Sequence, residues 1–125
     1  MIIRQILTRI YVNEINPAID FYEKLTEEKC VNRFVYKQVG LELARINNLL
    51  IIAGTDQALA PFKKTSATFL VDSIPDYRAF LLNNGAEILQ DIQQVPTGWN
   101  MTVRHNDGTI IEYVEHRITE SVKSL

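Results

Sequence analysis

The chain contains one pattern twice, and the two copies are separated by 59 residues. The apolar positions that recur in the same order are Ile10, Val12, Ile15 and Phe21 in the first copy, and Phe69, Val71, Ile74 and Phe80 in the second. Each copy opens with an alternating stretch, passes a polar break into a helical pattern, and ends in three strand-like runs. A unit of about 60 residues buries only a marginal core by itself, so we expect the two copies to combine.

Each copy predicts a strand followed by a short helix. Around Ile10 and Val12 apolar residues alternate with a period of two, as in a strand with one buried face. Asn16 is a candidate N-cap and Pro17 a candidate first helical residue. The apolar stripes predicted for the two helices are Ala18, Phe21, Tyr22 and Leu25, and then Tyr77, Phe80 and Leu81, with Asn84-Gly85 as the stop of the second helix.

Three strand candidates follow each helix. They cover residues 31–39, 41–46 and 49–53 in the first copy, and 86–93, 99–105 and 109–115 in the second. Asp107-Gly108 predicts a hairpin between the last two strands, and a two-residue turn there would place Val103 opposite Glu112. Residues 54–65, with Pro61, are the predicted linker between the copies.

These patterns predict an α+β protein in which two tandem β-α-β-β-β modules form a curled, barrel-like mixed sheet with helices on its outer face. The 125 residues are expected to make one domain. Module one spans about 1–54, module two about 66–116, and a C-terminal tail covers 117–125.

Composition excludes several classes of function. The net charge of −2 is too small to favour nucleic acid or an anionic membrane as a partner. Cys30 is the single cysteine, so neither an internal disulfide nor a thiolate-rich metal site is expected. The N-terminus has no signal-peptide pattern and no segment has the length of a membrane span, so we expect a cytoplasmic protein.

Two segments resemble the vicinal oxygen chelate superfamily, which includes glyoxalase I, extradiol dioxygenases and bleomycin-resistance proteins. Ile10–Leu25 (IYVNEINPAIDFYEKL) is similar to its first strand and helix, and His105–Glu115 (HNDGTIIEYVE) to its closing hairpin. In catalytic members of that superfamily, a divalent metal is held by His, Gln or Glu from the first and last strand of each half. The resemblance carries these positions to Leu7, Ser66 and Glu112, and to Ile51 or Ala53.

Only Glu112 among these positions is of a type that binds metal well, and one carboxylate does not hold a divalent ion against water. We therefore expect no metal and no other cofactor. A strand register shifted by two residues would bring Gln5 into play, but the last strand of the first half would still lack a ligand.

Glu112 is the leading candidate for a binding residue. With the two-residue turn, Met101 and Val103 would share its face, and a carboxylate on an apolar face either lines a pocket or needs a partner. Arg9 is the predicted partner. The two could form an ion pair that only completes the interior, or together contact a polar group of a ligand.

Aromatic residues supply the other candidates. Trp99 is expected to stack on a planar ligand or to pack at the rim of the pocket. Phe34 and Tyr36 extend that surface, or serve core or dimer packing, and Ser66 is expected to fix a polar group. Both His105 and His116 are expected to be solvated.

The leading hypothesis is a metal-independent small-molecule-binding protein of the bleomycin-resistance type, which sequesters a toxic or antibiotic compound. The alternative is a metal-dependent glyoxalase-like lyase or isomerase, or a dioxygenase, with displaced ligands. A third class, a structural or regulatory domain, would act through its surface alone. A homodimer is expected because short sheets leave edges that need covering.

Overall fold

The structure is a computed structural model that describes residues 1–117, so the predicted tail, apart from Arg117, lies outside the described residues. The chain divides into two compact units. The first unit is Leu7–Lys64, and the second unit combines Met1–Ile6 with the described residues 65–117. In the described part the elements are β1 (Ile3–Val12), α1 (Ile15–Thr26), β2 (Asn32–Tyr36), β3 (Leu41–Ile46), β4 (Leu49–Ala53), α2 (Asp56–Leu59), β5 (Thr65–Val71), α3 (Ile74–Asn83), β6 (Glu87–Val95), β7 (Gly98–Arg104) and β8 (Ile110–His116).

The first unit is a mixed sheet in the order β2-β3-β4-β1 with α1 on one face. Strands β1 and β4 are parallel, whereas β3 pairs antiparallel with both β4 and β2. The buried residues under α1 are Ile15, Ile19, Ala44, Ile46, Ile51 and Ala53. The predicted runs 41–46 and 49–53 are confirmed as β3 and β4, and the predicted linker contains the short helix α2.

Helix α1 begins earlier than the sequence predicts. Glu14 is the N-cap, so the assignment of Asn16 as N-cap and Pro17 as first helical residue is wrong. Pro17 is tolerated at the third helical position because N–H groups of the first turn have no partner within the helix. Of the predicted stripe, Ala18 and Tyr22 pack against the core, whereas Phe21 and Leu25 are 58% and 64% exposed.

The second unit repeats the topology in the order β5-β8-β7-β6, with α3 on one face. Strands β5 and β8 are parallel and the other two pairings are antiparallel. The core under α3 consists of Val71, Ile74, Tyr77, Leu81, Met101, Val103, Ile111 and Tyr113. The predicted α+β class, with two β-α-β-β-β modules and mixed strand pairing, is confirmed.

Helix α3 is fixed at both ends. The Ser73 hydroxyl accepts a hydrogen bond from the Asp76 N–H, and Asn84 is the C-cap. Gly85 follows at φ +85°, which confirms the predicted stop. The Ile74 N–H, at the start of the helix, donates to Glu115 Oε1 at 2.9 Å and so ties α3 to β8.

The hairpin between β7 and β8 has a three-residue turn rather than the predicted two-residue turn. The His105 N–H donates to the Thr109 carbonyl at 2.8 Å, and Gly108 adopts φ +95° between them. Thr102 therefore lies opposite Glu112, and Val103 lies opposite Ile111. The predicted pairing of Val103 with Glu112 is wrong, because one extra residue in a turn moves every later side chain to the other face.

Within residues 1–117, no helix is long and apolar enough to span a membrane.

Candidate ligand-binding site

Glu112 lies in the middle of the second unit's sheet, on the face away from α3. Thr68 on β5 and Thr102 on β7 are its direct neighbours across the strands. Asn100 lies two residues from Thr102 along β7 and therefore points to the same face. Three strands thus bring polar side chains to one place on a sheet that is apolar on its other face.

Both oxygens of the Glu112 carboxylate accept hydrogen bonds. Thr68 Oγ1 donates to Oε1 and Asn100 Nδ2 donates to Oε2, both at 2.9 Å. Thr68 and Asn100 are only 2% and 8% exposed, so both donors are withdrawn from water. We name Glu112, Thr68 and Asn100 the carboxylate cluster.

The Asn100 side chain also presents an acceptor. Its Oδ1 is buried and has no hydrogen-bond partner within the part of the chain that the structure describes. A buried acceptor without a partner costs about 1–3 kcal/mol. Such atoms are normally satisfied by water or by a ligand. The carboxylate cluster therefore offers acceptors that suit a donor group of a bound molecule.

Met101 and Val103 do not share the face of Glu112, and that prediction is wrong. Both are 0% exposed and pack in the core under α3, as the three-residue turn requires. Trp99 does share their face, but it packs against the same core. The Arg117 guanidinium lies over its ring at 5.4 Å from the ring centre. The predicted stacking of Trp99 on a ligand stays a prediction.

The remaining predicted residues lie on β1, β2 and β5. Arg9 donates to the Tyr11 hydroxyl at 2.9 Å, and its pairing with Glu112 stays a prediction. Phe34 and Tyr36 lie opposite Leu43 and Leu41, on the face of the first unit's sheet away from α1. Ser66 lies exposed at an irregularity in the pairing of β5.

The positions that the resemblance assigns to a metal do not fit one. Arg9 pairs with Leu50 in the parallel pairing of the first unit, as Thr68 pairs with Glu112 in the second. The counterpart of Glu112 is therefore Leu50, not Ile51 or Ala53 as predicted. Like Leu7, it is buried and has no donor atom. Among residues 1–117, no three His, Cys, Asp or Glu side chains are grouped so that they could hold a metal ion.

The sequence reasoning missed Thr68 and Asn100. Glycine three positions after His105 indicates a three-residue loop with a left-handed residue at its end. That turn would have placed Asn100 on the face of Glu112. Thr68 follows from the repeat, because it is the second-copy counterpart of Arg9.

Comparison with solved structures shows which proteins share the fold. Methylmalonyl-CoA epimerase from Mycobacterium tuberculosis aligns with a TM-score of 0.75 at 14% identity, over 98% of this chain and 97% of that one. A Streptomyces coelicolor methylmalonyl-CoA epimerase variant in complex with 2-nitronate-propionyl-CoA gives 0.73 at 14% identity, over 93% and 96%. The chain therefore has the fold of these epimerases.

A protein from Methanosarcina mazei is much more similar. Its crystal structure aligns with a TM-score of 0.89 at 56% sequence identity, over 94% of this chain and 95% of that one. The chain belongs to the same family as this uncharacterised protein. No protein-family model and no curated protein sequence matches the chain.

Proposed function

We propose that the chain is a metal-independent small-molecule-binding protein of the vicinal oxygen chelate superfamily, and that the carboxylate cluster holds a donor group of its ligand. The observation that carries the proposal is the buried, unpartnered Oδ1 of Asn100 beside a carboxylate fixed on both oxygens. An ammonium or amide N–H can donate to the Asn100 Oδ1, whereas a carboxylate is repelled by Glu112. Sequestration of a toxic or antibiotic compound is the form of binding that we expect.

The arrangement is suited to binding because little has to move. Glu112 is held by donors on two neighbouring strands, so its carboxylate is already oriented before a ligand arrives. Preorganised polar groups lose less conformational entropy on binding than mobile ones. The apolar neighbour Val114, buried on the same strand face, adds a surface for an apolar part of the ligand.

A metal-dependent lyase, isomerase or dioxygenase remains the alternative, and the fold of the epimerases is what favours it. A leucine at both first-unit positions argues against it, because an alkyl side chain supplies no electron pair to a cation.

We also expect a homodimer. Strand β2 ends the strand order of the first unit, and Phe34 and Val35 on it are 36% and 56% exposed. An edge strand with exposed apolar side chains is a surface that pairing with a second copy would cover.

The test is a ligand screen by nuclear magnetic resonance on the ¹⁵N-labelled full chain, in buffer with EDTA. The panel contains size-matched amines, amides and carboxylates, together with coenzyme A thioesters. We expect amines or amides to shift the Asn100 side-chain NH₂ signal, and Glu112→Gln to abolish the effect. Glu87→Gln is the matched control, because that exposed carboxylate pairs with Arg104 on the same sheet. Binding that requires added metal, or that survives Glu112→Gln, would refute the proposal.

A further inference from the structure

A cavity of about 280 Å³ lies in the second unit on the side of α3, on the opposite face of the sheet from the carboxylate cluster. Its wall is formed by α3, by the turn between β7 and β8, and by Ile3 at the start of β1. Phe80 and Ile3 stand at its mouth, 47% and 41% exposed. We name it the α3 cavity.

Aromatic rings make up much of this wall. Tyr77, Phe80 and Tyr113 all line the cavity, and the rings of Tyr77 and Tyr113 are 5.8 Å apart and inclined by 31°. Aromatic faces carry partial negative charge, so a cavity lined by several rings favours a cation over an anion. No lysine or arginine is among the residues that line the cavity, within the chain as far as residue 117.

The polar groups of the wall add negative charge and hydrogen-bond capacity. Asp107 lies in the turn, and the Thr109 N–H that donates to it at 2.9 Å holds the pKa of its carboxyl below the usual value. Asp107 is therefore ionised at neutral pH. His105, which the sequence predicts to be solvated, is half-buried, and its Nε2 lies 2.7 Å from the Tyr113 hydroxyl.

The Tyr113 hydroxyl stays protonated at neutral pH. Burial, and secondarily the nearby Tyr77, raise the pKa of Tyr113 to about 12. The hydroxyl therefore carries no negative charge and is available to His105 as a hydrogen-bond donor. Among the described residues that line the cavity, Asp107 is the only carboxylate.

We propose that the α3 cavity binds a small organic cation with a quaternary or methylated ammonium group, which Tyr77, Phe80 and Tyr113 surround and Asp107 balances in charge. The cavity volume of about 280 Å³ accommodates a group of this size, and it lies slightly below the roughly 300–1,000 Å³ of most ligand pockets. This site is independent of the carboxylate cluster, because the two lie on opposite faces of the sheet.

The test compares choline with 3,3-dimethylbutan-1-ol, the neutral compound of the same shape, by titration of the full chain while aromatic proton signals are recorded. We expect saturable shifts of the Tyr77, Phe80 and Tyr113 signals with choline. The neutral compound should bind roughly tenfold more weakly, as expected when a cation–π contribution is lost.

Four variants make the result specific. Phe80→Ala and Asp107→Asn should each weaken choline binding several-fold, and both residues are exposed, so the fold is expected to tolerate the changes. Phe21→Ala is the matched control, since Phe21 holds the same repeat position on α1. Glu112→Gln should leave choline binding unchanged. Equal binding of the neutral compound, an absence of saturable shifts, or an unchanged affinity in Phe80→Ala would overturn the proposal.

Discussion

Two neutral donors, Thr68 and Asn100, determine where the Glu112 carboxylate points. Hydrogen bonds to a charged acceptor contribute more than those between neutral groups, about 1.5–3 kcal/mol each. Both donors here are almost fully buried, which means that water does not readily replace one that is removed. The carboxylate cluster is therefore part of the stability of the second unit as well as a candidate binding site.

Replacing Thr68 by valine tests this coupling. Thr68→Val keeps the shape of the side chain and its preference for strands, but it removes the hydroxyl that donates to Glu112 Oε1. We expect the free energy of unfolding to fall by about 1–3 kcal/mol, measured by urea denaturation. Thr102→Val is the matched control, because Thr102 also lies directly opposite Glu112, and its cost should stay within about 0.5 kcal/mol. Equal costs for the two variants would contradict the account.

For single residues, the sequence predicts Glu112 as a candidate but not the two residues that hydrogen-bond to it. Glu112 is identified by its place in the closing hairpin, but Thr68 and Asn100 are ordinary strand residues whose role appears only when the strands are paired. Alternation along one strand shows which of its residues share a face. It does not show which residues of the neighbouring strands lie beside them.

Among the elements, the hairpin between β7 and β8 determines which side chains of β7 lie beside Glu112. Its three-residue turn places Met101 and Val103 under α3 and leaves Asn100 beside Glu112. Asp-Gly predicts the hairpin correctly, but it is compatible with turns of two or three residues.

The start of α1 is missed for a related reason, since Asn16-Pro17 has the local form of a helix start and the helix nevertheless begins at Ile15. Burial of Ile15 against the sheet, at 6% exposure, outweighs the better local cap.

Two glycines at the ends of this hairpin should respond differently to substitution. Gly98 has φ +153°, and a Cβ there would lie 2.1 Å from the Glu115 carbonyl oxygen. Gly108 has φ +95°, but a Cβ there would meet no atom within 4 Å. Gly108→Ala should therefore cost about 1 kcal/mol from backbone strain, and Gly98→Ala more than about 3 kcal/mol.

Urea denaturation followed by circular dichroism measures both variants. Failure of Gly98→Ala to fold, while Gly108→Ala folds, also agrees with the expectation. A similar fall in the free energy of unfolding for the two substitutions would contradict the expectation. It would show that β7 can move away from Glu115 at Gly98 without loss of stability.

For the whole molecule, the repeat predicts the topology of each unit and not the distribution of polar groups. The parallel pairing of Arg9 with Leu50 recurs as the pairing of Thr68 with Glu112. The strand pairing is therefore duplicated, but the position that Glu112 holds in the second unit is held by Leu50 in the first. Topology follows from the apolar pattern, which both copies share. A binding site depends on a few polar residues, in which the copies differ, so the repeat cannot predict it.

The most direct test of metal-independent binding is the metal content of the untagged full chain after equilibrium dialysis against Ni²⁺, Zn²⁺, Mn²⁺ and Fe²⁺, measured by elemental analysis. Metal-independent binding predicts substoichiometric metal in every case, with no difference between the wild type and Glu112→Gln. One metal ion per chain, removed by EDTA and lost in Glu112→Gln, would contradict it and would favour a metal-dependent enzyme.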